Sequence, residues 1–171
     1  MAQPQFSAWA STMYDTKTDL AADLRVRVNE LLARRLADGI DLMLQSKHAH
    51  WNVKGPSFIA LHELFDKVYD GLAEYVDLVA ERIVQLGGRA DGIAASVVER
   101  SSLPPYPRGA TDGMDHVLGL STGLAAFGKA ARNDVDDLAG WGDAGSADLM
   151  TEVSRGIDKY LWLVEAHVHA K

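Results

Sequence analysis

The sequence contains no cysteine. Disulfides, thiolate-bound zinc, iron–sulfur clusters and cysteine nucleophiles are thereby excluded, and the absence suits a reducing cytoplasm. Long apolar runs are missing too, so no stretch matches the roughly 20 consecutive apolar residues of a membrane-spanning helix. The opening MAQPQFSAWASTMYD has no basic start and no sustained apolar segment, so no secretory signal peptide is expected. A soluble, cytoplasmic protein with no membrane partner is the expectation. Positive charge is scarce: 17 basic against 24 acidic side chains leave a net charge of −7. Such a surface repels nucleic-acid phosphates and attracts cations. Proline is also sparse, with 5 in the chain, three of them inside SSLPPYPRG.

What remains is globular. The 171 residues, 47% hydrophobic and 24% charged, suffice for one domain with a real core. From Asp19 to His50, apolar residues recur at Leu24, Val28, Leu31, Leu32, Leu36, Ile40 and Met43, the three-and-four spacing of one helix face. WNVKGPS breaks this pattern, and Pro56 is placed to open a second helix from about Ser57 to Leu86. That helix carries Leu61, Phe65, Val68, Leu72, Val76, Val79, Ile83 and Leu86, and Gly87-Gly88 stops it. The proline-rich segment from Arg89 to Ala110 cannot be regular helix, although a short one fits around Ala95–Glu99. At up to about 3.3 Å per residue, it can reach back along a helix about 45 Å long. The second and third helices then run parallel, joined by a crossover. A third helix is expected over Asp112–Leu138, ended by Gly140, Gly142 and Gly145, and a fourth over Ala147–Val168, capped by Ser146. The expected fold is all-α: a four-helix bundle over residues 19–171 behind a tail of residues 1–18, without tandem repeats or low-complexity tracts.

Two pairs on the second helix carry the chemistry. His62 and Asp66 stand four residues apart, as do Asp77 and Glu81, so each pair shares a face. The 11 residues from Asp66 to Asp77 return to within about 20° of the same side. Along the axis the pairs are about 16 Å apart, too far for one metal centre. Two copies laid antiparallel about a dyad near Gly71 and Leu72 would bring His62 and Asp66 of one chain to Glu81 and Asp77 of the other, twice over. Gly71 and Ala73 are small enough to allow close approach. His50, six residues before Pro56 as His62 is six after it, comes level with His62 across the hairpin. Imidazole with carboxylate suits iron, zinc or manganese. Read singly, Asp77/Glu81 is a solvated acidic pair, a histidine near a helix end is a cap or packing residue, and Trp51 plugs the turn.

At these residues the chain resembles the Dps family, the DNA-binding proteins from starved cells, mini-ferritins with a ferritin-like bundle. The resemblance lies in His50-Trp-Asn-Val-Lys-Gly-Pro-Ser-Phe-Ile-Ala-Leu-His62-Glu-Leu-Phe-Asp66, in Val76-Asp77-Leu-Val-Ala-Glu81-Arg82 through Gly87-Gly88, and in SRGIDKYLWLVEAH. It implies ferrous-iron oxidation between two-fold-related subunits, with His50, His62 and Asp66 of one chain and Asp77 and Glu81 of the other as ligands. It further implies hydrogen peroxide as oxidant and a hollow dodecamer storing ferric iron. Under the same resemblance Trp51 intercepts stray oxidising equivalents, and Asp148, with Asp143 nearby, lines an iron-uptake pore. Both acids also read simply as favourable charges at a helix N-terminus.

Three other readings compete. A DNA-compacting protein of this family would carry a lysine-rich tail, yet Lys17 is the one basic residue among the first 19. DNA binding and nucleoid association are therefore not expected. A cage that sequesters metal without oxidising it has the same ligands. A zinc hydrolase would use His62-Glu63-Leu64-Phe65-Asp66 as a zincin-like motif, but no third ligand is evident in the chain. Glu-x-x-His motifs, which a di-iron centre within one bundle needs, are absent.

Overall fold

The computed structural model describes residues 13–169. Five helices follow one another: α1 (Ala22–Asn52), α2 (Phe58–Gln85), α3 (Ala94–Arg100), α4 (Gly113–Trp141) and α5 (Ala144–Glu165). No β-strand occurs among the described residues, only an isolated parallel bridge between Lys54 and Asp112. α1 packs on α2 and α4 on α5, and the two hairpins close into the bundle. The bridge fixes the direction of the second hairpin. Lys54 lies just before α2 and Asp112 just before α4, so both helices leave the same end and run parallel. The segment between them, carrying α3, returns along the length of α2 as a crossover.

The periodic apolar residues form one core. Leu31, Leu32 and Leu36 of α1 meet Phe65, Leu72 and Ile83 of α2, Leu120, Leu124 and Phe127 of α4, and Met150, Val153 and Ile157 of α5. Leu24, Ile40 and Met43 sit at its margin, partly buried. Burial of such side chains contributes about 1.5–3 kcal/mol each, which drives the hairpins together. The crossover is tied down by polar contacts to α1. Ser102 donates from its backbone N–H and its hydroxyl to Asp38, and Ser101 donates to Asp41. Buried Asp38 is neutralised by Arg35 at 2.7 Å, which also reaches Asp134 of α4 at 2.9 Å.

Several boundaries differ from the sequence expectation. α1 begins at Ala22 rather than Asp19, because Ala21 is extended. Of the expected tail, residues 1–12 lie outside the described residues. Tyr14 is tied to the bundle, its N–H donating to the Gly87 carbonyl at 2.7 Å. Gly142, at φ 93°, ends α4, whereas Gly140 lies within that helix and Gly145 in the first turn of α5. α5 starts at Ala144 because Asp143, not Ser146, is its cap: the Asp143 carboxylate accepts the Ser146 N–H at 3.0 Å. Finally, Gly71 does not serve a crossing between subunits. It lies about 180° around α2 from His62, facing α5, where a methyl group would overlap the Tyr160 hydroxyl. Gly156 of α5 receives Tyr75 of α2 in the same way. These notches let α2 and α5 approach within one chain.

Candidate metal centre

The elbow between α1 and α2 is residues 53–57. Val53 closes α1 through its N–H to the Ala49 carbonyl, and Gly55, at φ 109°, adopts a backbone that a side chain disfavours. This short connection sets His50, in the last turn of α1, beside His62, in the second turn of α2. Their rings stack at 3.7 Å between centroids, 21° from parallel.

The backbone decides which nitrogen each ring presents. Nδ1 of His50 lies 2.8 Å from the His62 carbonyl, and Nδ1 of His62 lies 2.8 Å from the His50 carbonyl. A carbonyl only accepts, so both Nδ1 atoms carry the proton and donate. In each neutral ring the lone pair is therefore on Nε2. This is the second-sphere arrangement that orients a metal-binding imidazole and makes it a better donor. Phe58 packs on the His62 ring at 5.1 Å and limits its rotation.

Asp66, one turn beyond His62, is half-exposed and lies 3.8 Å from Nδ1 of His50. Lys47 of α1 pairs with it directly and also lies over the Tyr69 ring. The Lys47 hydrogen bond is the main reason the Asp66 carboxyl is held below its ordinary range, with the nearby histidines adding to it. Sequence reasoning missed this lysine. Its signal was present, since Lys47 precedes His50 by one helical turn and so shares its side of α1.

Asp77 and Glu81 are exposed and belong to the other half of α2. Among the described residues, no group of three or more His, Asp or Glu side chains is gathered to hold a metal. The chain stacks His50 on His62 with Asp66 3.8 Å from the His50 ring, short of a three-donor metal group, and leaves Asp77 and Glu81 about 16 Å further along the axis. The helix after Glu81 is anchored by Arg82, another residue sequence reasoning passed over. Arg82 donates to Asp143 at 2.9 Å and to the Ser146 hydroxyl at 2.8 Å, joining α2 to the start of α5.

The remaining expected residues separate clearly. Trp51 follows His50 in α1 and is 69% exposed, so it plugs no turn within the chain. Asp143 is 2% exposed, with both carboxylate oxygens engaged by Arg82 and Ser146. Burial raises its pKa, but these bonds prevail and hold it below the ordinary range. Asp148, on α5, is exposed, so of the two acids it is the one free to face solvent or an ion.

Uncovered apolar groups flank the centre. Ile59 is 61% and Val84 57% exposed, both on the side of α2 that carries His62 and Glu81. A shallow apolar groove lined by Ala80, Val84 and Ala90 runs beside Glu81. Ile59 and Val84 lie near opposite ends of α2, so they are separate exposed apolar spots, one beside His62 and one beside Glu81.

The Ferritin-like domain family matches residues 29–170. A DNA protection during starvation protein from Agrobacterium fabrum is 41% identical over 158 residues, which are 92% of this chain and 98% of that protein. Among solved structures, DpsA14 from Streptomyces coelicolor is similar at TM-score 0.86 and 33% identity, over 91% of this chain and 92% of its own. The Dps of Microbacterium arborescens, solved in a high iron form, is similar at TM-score 0.82 and 30% identity, over 91% of this chain and 99% of its own.

Proposed function

The chain belongs to the Dps family of ferritin-like proteins, and from that premise we propose that it is a ferroxidase storing iron, with each catalytic site divided between two subunits. The observation that carries the reading is the reciprocal pair of Nδ1-to-carbonyl hydrogen bonds, which leaves the lone pairs of two stacked imidazoles on Nε2, with the Asp66 carboxylate 3.8 Å from the His50 ring. Three donors from one chain make half a site. Antiparallel pairing of α2 about a two-fold axis supplies Asp77 and Glu81 from the second chain, and the same register sets Ile59 against Val84. The apolar residues around the half-site are then covered by the partner.

Ferrous iron is the substrate and hydrogen peroxide the oxidant. Each peroxide takes one electron from each of two ferrous ions and, with two protons, leaves two ferric ions and two waters. The carboxylates favour the ferric product, and the histidines keep the ferrous ion in place for oxidation. Zinc and manganese suit the same donors. Dimers assemble into a hollow dodecamer in the cytoplasm, the ferric product collects inside, and Asp148 lines the path by which iron enters. Trp51, next to His50, is placed to intercept stray oxidising equivalents. DNA binding is not proposed: net charge −7 and a first stretch of 19 residues with one lysine offer nothing to the phosphate backbone.

The test is anaerobic ferrous iron plus peroxide, followed optically, with the wild type beside Asp77→Ala/Glu81→Ala. Loss of rapid oxidation in the variant is expected. Equal rates would remove the proposed site, and a stable monomer at micromolar concentration by sedimentation would do the same.

A further inference from the structure

The crossover carries a polar cluster that the iron reaction leaves unused. Tyr106 lies between Pro105 and Pro107, whose fixed φ angles stiffen the segment that holds it against α4. Its hydroxyl is 2.6 Å from Nδ1 of His116, a fully buried residue near the start of α4. Burial holds the His116 imidazole below its ordinary range and the Tyr106 phenol above its own. At neutral pH the ring is therefore neutral and the phenol protonated, so the O–H donates to the Nδ1 lone pair and the ring proton sits on Nε2. Nε2 is buried and has no well-formed hydrogen bond. The Asn52 backbone acts on the ring as a whole in the direction that favours its charged form.

The cluster backs onto the metal-binding elbow. Asn52 is the last residue of α1, two after His50. His48 stands edge-on to Tyr106 at 5.5 Å, and Phe65, the neighbour of Asp66, lies 6.3 Å from the His116 ring. A phenol loses an electron readily only if its proton leaves at the same time, and a hydrogen-bonded neutral imidazole is the acceptor that permits this. Packing alone would need only the aromatic ring.

We propose that Tyr106 and His116 form a one-electron donor site, in which the phenol reduces a strong oxidant while its proton passes to Nδ1 of His116. The oxidant is the hydroxyl-radical-level species left when peroxide takes a single electron from one ferrous ion; this origin rests on the iron reaction proposed above. The phenol O–H bond breaks, an N–H bond forms at Nδ1, and the oxidant gains one electron. The neutral phenoxyl radical then sits beside an imidazolium, whose charge the Asn52 backbone favours. A second ferrous ion restores the phenol by giving up one electron as the proton returns. The site completes a two-electron reduction of peroxide when only one iron is bound, and releases no radical.

The assembled, iron-free protein is oxidised with photogenerated tris(bipyridine)ruthenium(III), frozen, and read by electron paramagnetic resonance. The expected result is a neutral tyrosyl signal with a coupling to one exchangeable proton, removed in heavy water. Tyr106→Phe, which keeps the ring packing, loses that signal although Tyr14, Tyr69, Tyr75 and Tyr160 remain. His116→Gln lowers its yield and removes the exchangeable coupling. A tyrosyl signal unchanged in Tyr106→Phe, a signal from tryptophan alone, or a wild-type signal without exchangeable coupling would overturn the proposal; the last needs no variant to fold. A parallel sample receives ferrous iron and peroxide. Absence of iron oxidation there, with the photochemical signal intact, refutes the iron reading and leaves the donor site standing. Iron oxidation with no photochemical signal refutes the donor site alone.

Discussion

At the elbow between α4 and α5 the chain turns through Gly142 and Asp143, and nearly every polar group there is bonded within the chain. Gly142 adopts the left-handed conformation, its N–H and that of Asp143 return to the Ala139 and Leu138 carbonyls, and the Asp143 carboxylate caps α5 and pairs with Arg82. At the elbow between α1 and α2 Ser57 makes no side-chain cap bond to α2, Asn52 and His62 donate to last-turn carbonyls of α1, and the two site histidines bond the backbone through Nδ1 alone. Their Nε2 atoms and the half-exposed Asp66 remain for something outside the chain. One elbow is closed within the chain, and in the proposed reading the other keeps donors open for a metal. Asp143 on the first is bonded to Arg82 and Ser146, whereas Asp66 on the second is paired with Lys47, the contact a metal would displace under the proposed reading.

Breaking the open elbow should abolish chemistry and spare the fold. His50→Ala/His62→Ala is expected to lower peroxide-driven ferrous oxidation by about 100-fold or more, since changes to outer-sphere partners alone typically cost 10–100-fold in metal sites. Thermal unfolding of the assembled variant should stay within a few degrees of the wild type. A large fall in unfolding temperature would show that the rings hold the elbow together.

Breaking the closed elbow should do the reverse. Asp143→Ala removes a cap and leaves partly buried Arg82 without its carboxylate, which costs about 2 kcal/mol. Urea denaturation measures that loss, and the oxidation rate per folded dimer should change little. A rate as low as in the histidine variant, at unchanged stability, would make Asp143 a functional group after all.

A third prediction concerns Asp134, which belongs to neither elbow. Burial raises its pKa from 3.8 to about 7, against the lowering effect of Arg35. An acid with a raised folded pKa binds more protons folded than unfolded, so its contribution makes stability fall as pH rises from about 4 to about 7. Asp134→Asn should flatten that fall in denaturation midpoints across this window. An unchanged slope would place the effect elsewhere. The smallest effect is expected at Lys47. Lys47→Met lets the Asp66 carboxyl return toward its ordinary range, so protonation of this ligand begins at higher pH. The acid limb of iron uptake should shift upward by a fraction of a pH unit, and a downward shift would contradict the pairing.

Helices, core and crossover were legible because each is written in local spacing: apolar residues at three and four, Gly87 at a helix end, prolines confined to the crossover. The nearness of His50, His62 and Asp66 was legible for the same reason, as residues on one helix and its neighbouring turn. The in-chain partners were not. Ser146 looked like the cap of α5, but Asp143 has two acceptor oxygens and also attracts Arg82, 61 residues away in sequence. Gly71 looked like a contact between subunits because its place on the helix surface was judged from level rather than from angle. Tyr106 and His116 meet only because the crossover returns along the bundle, and no spacing announces that.

The claim that each chain holds half a site is tested most directly by complementation. His62→Ala/Asp66→Ala subunits and Asp77→Ala/Glu81→Ala subunits are each purified, then unfolded and reassembled together in equal amounts. Each alone should oxidise iron slowly. With random pairing, half of the dimers are mixed and each mixed dimer has one of its two sites intact, so the mixture should recover about a quarter of the wild-type rate. A mixture no faster than its separate components would contradict a site shared between subunits.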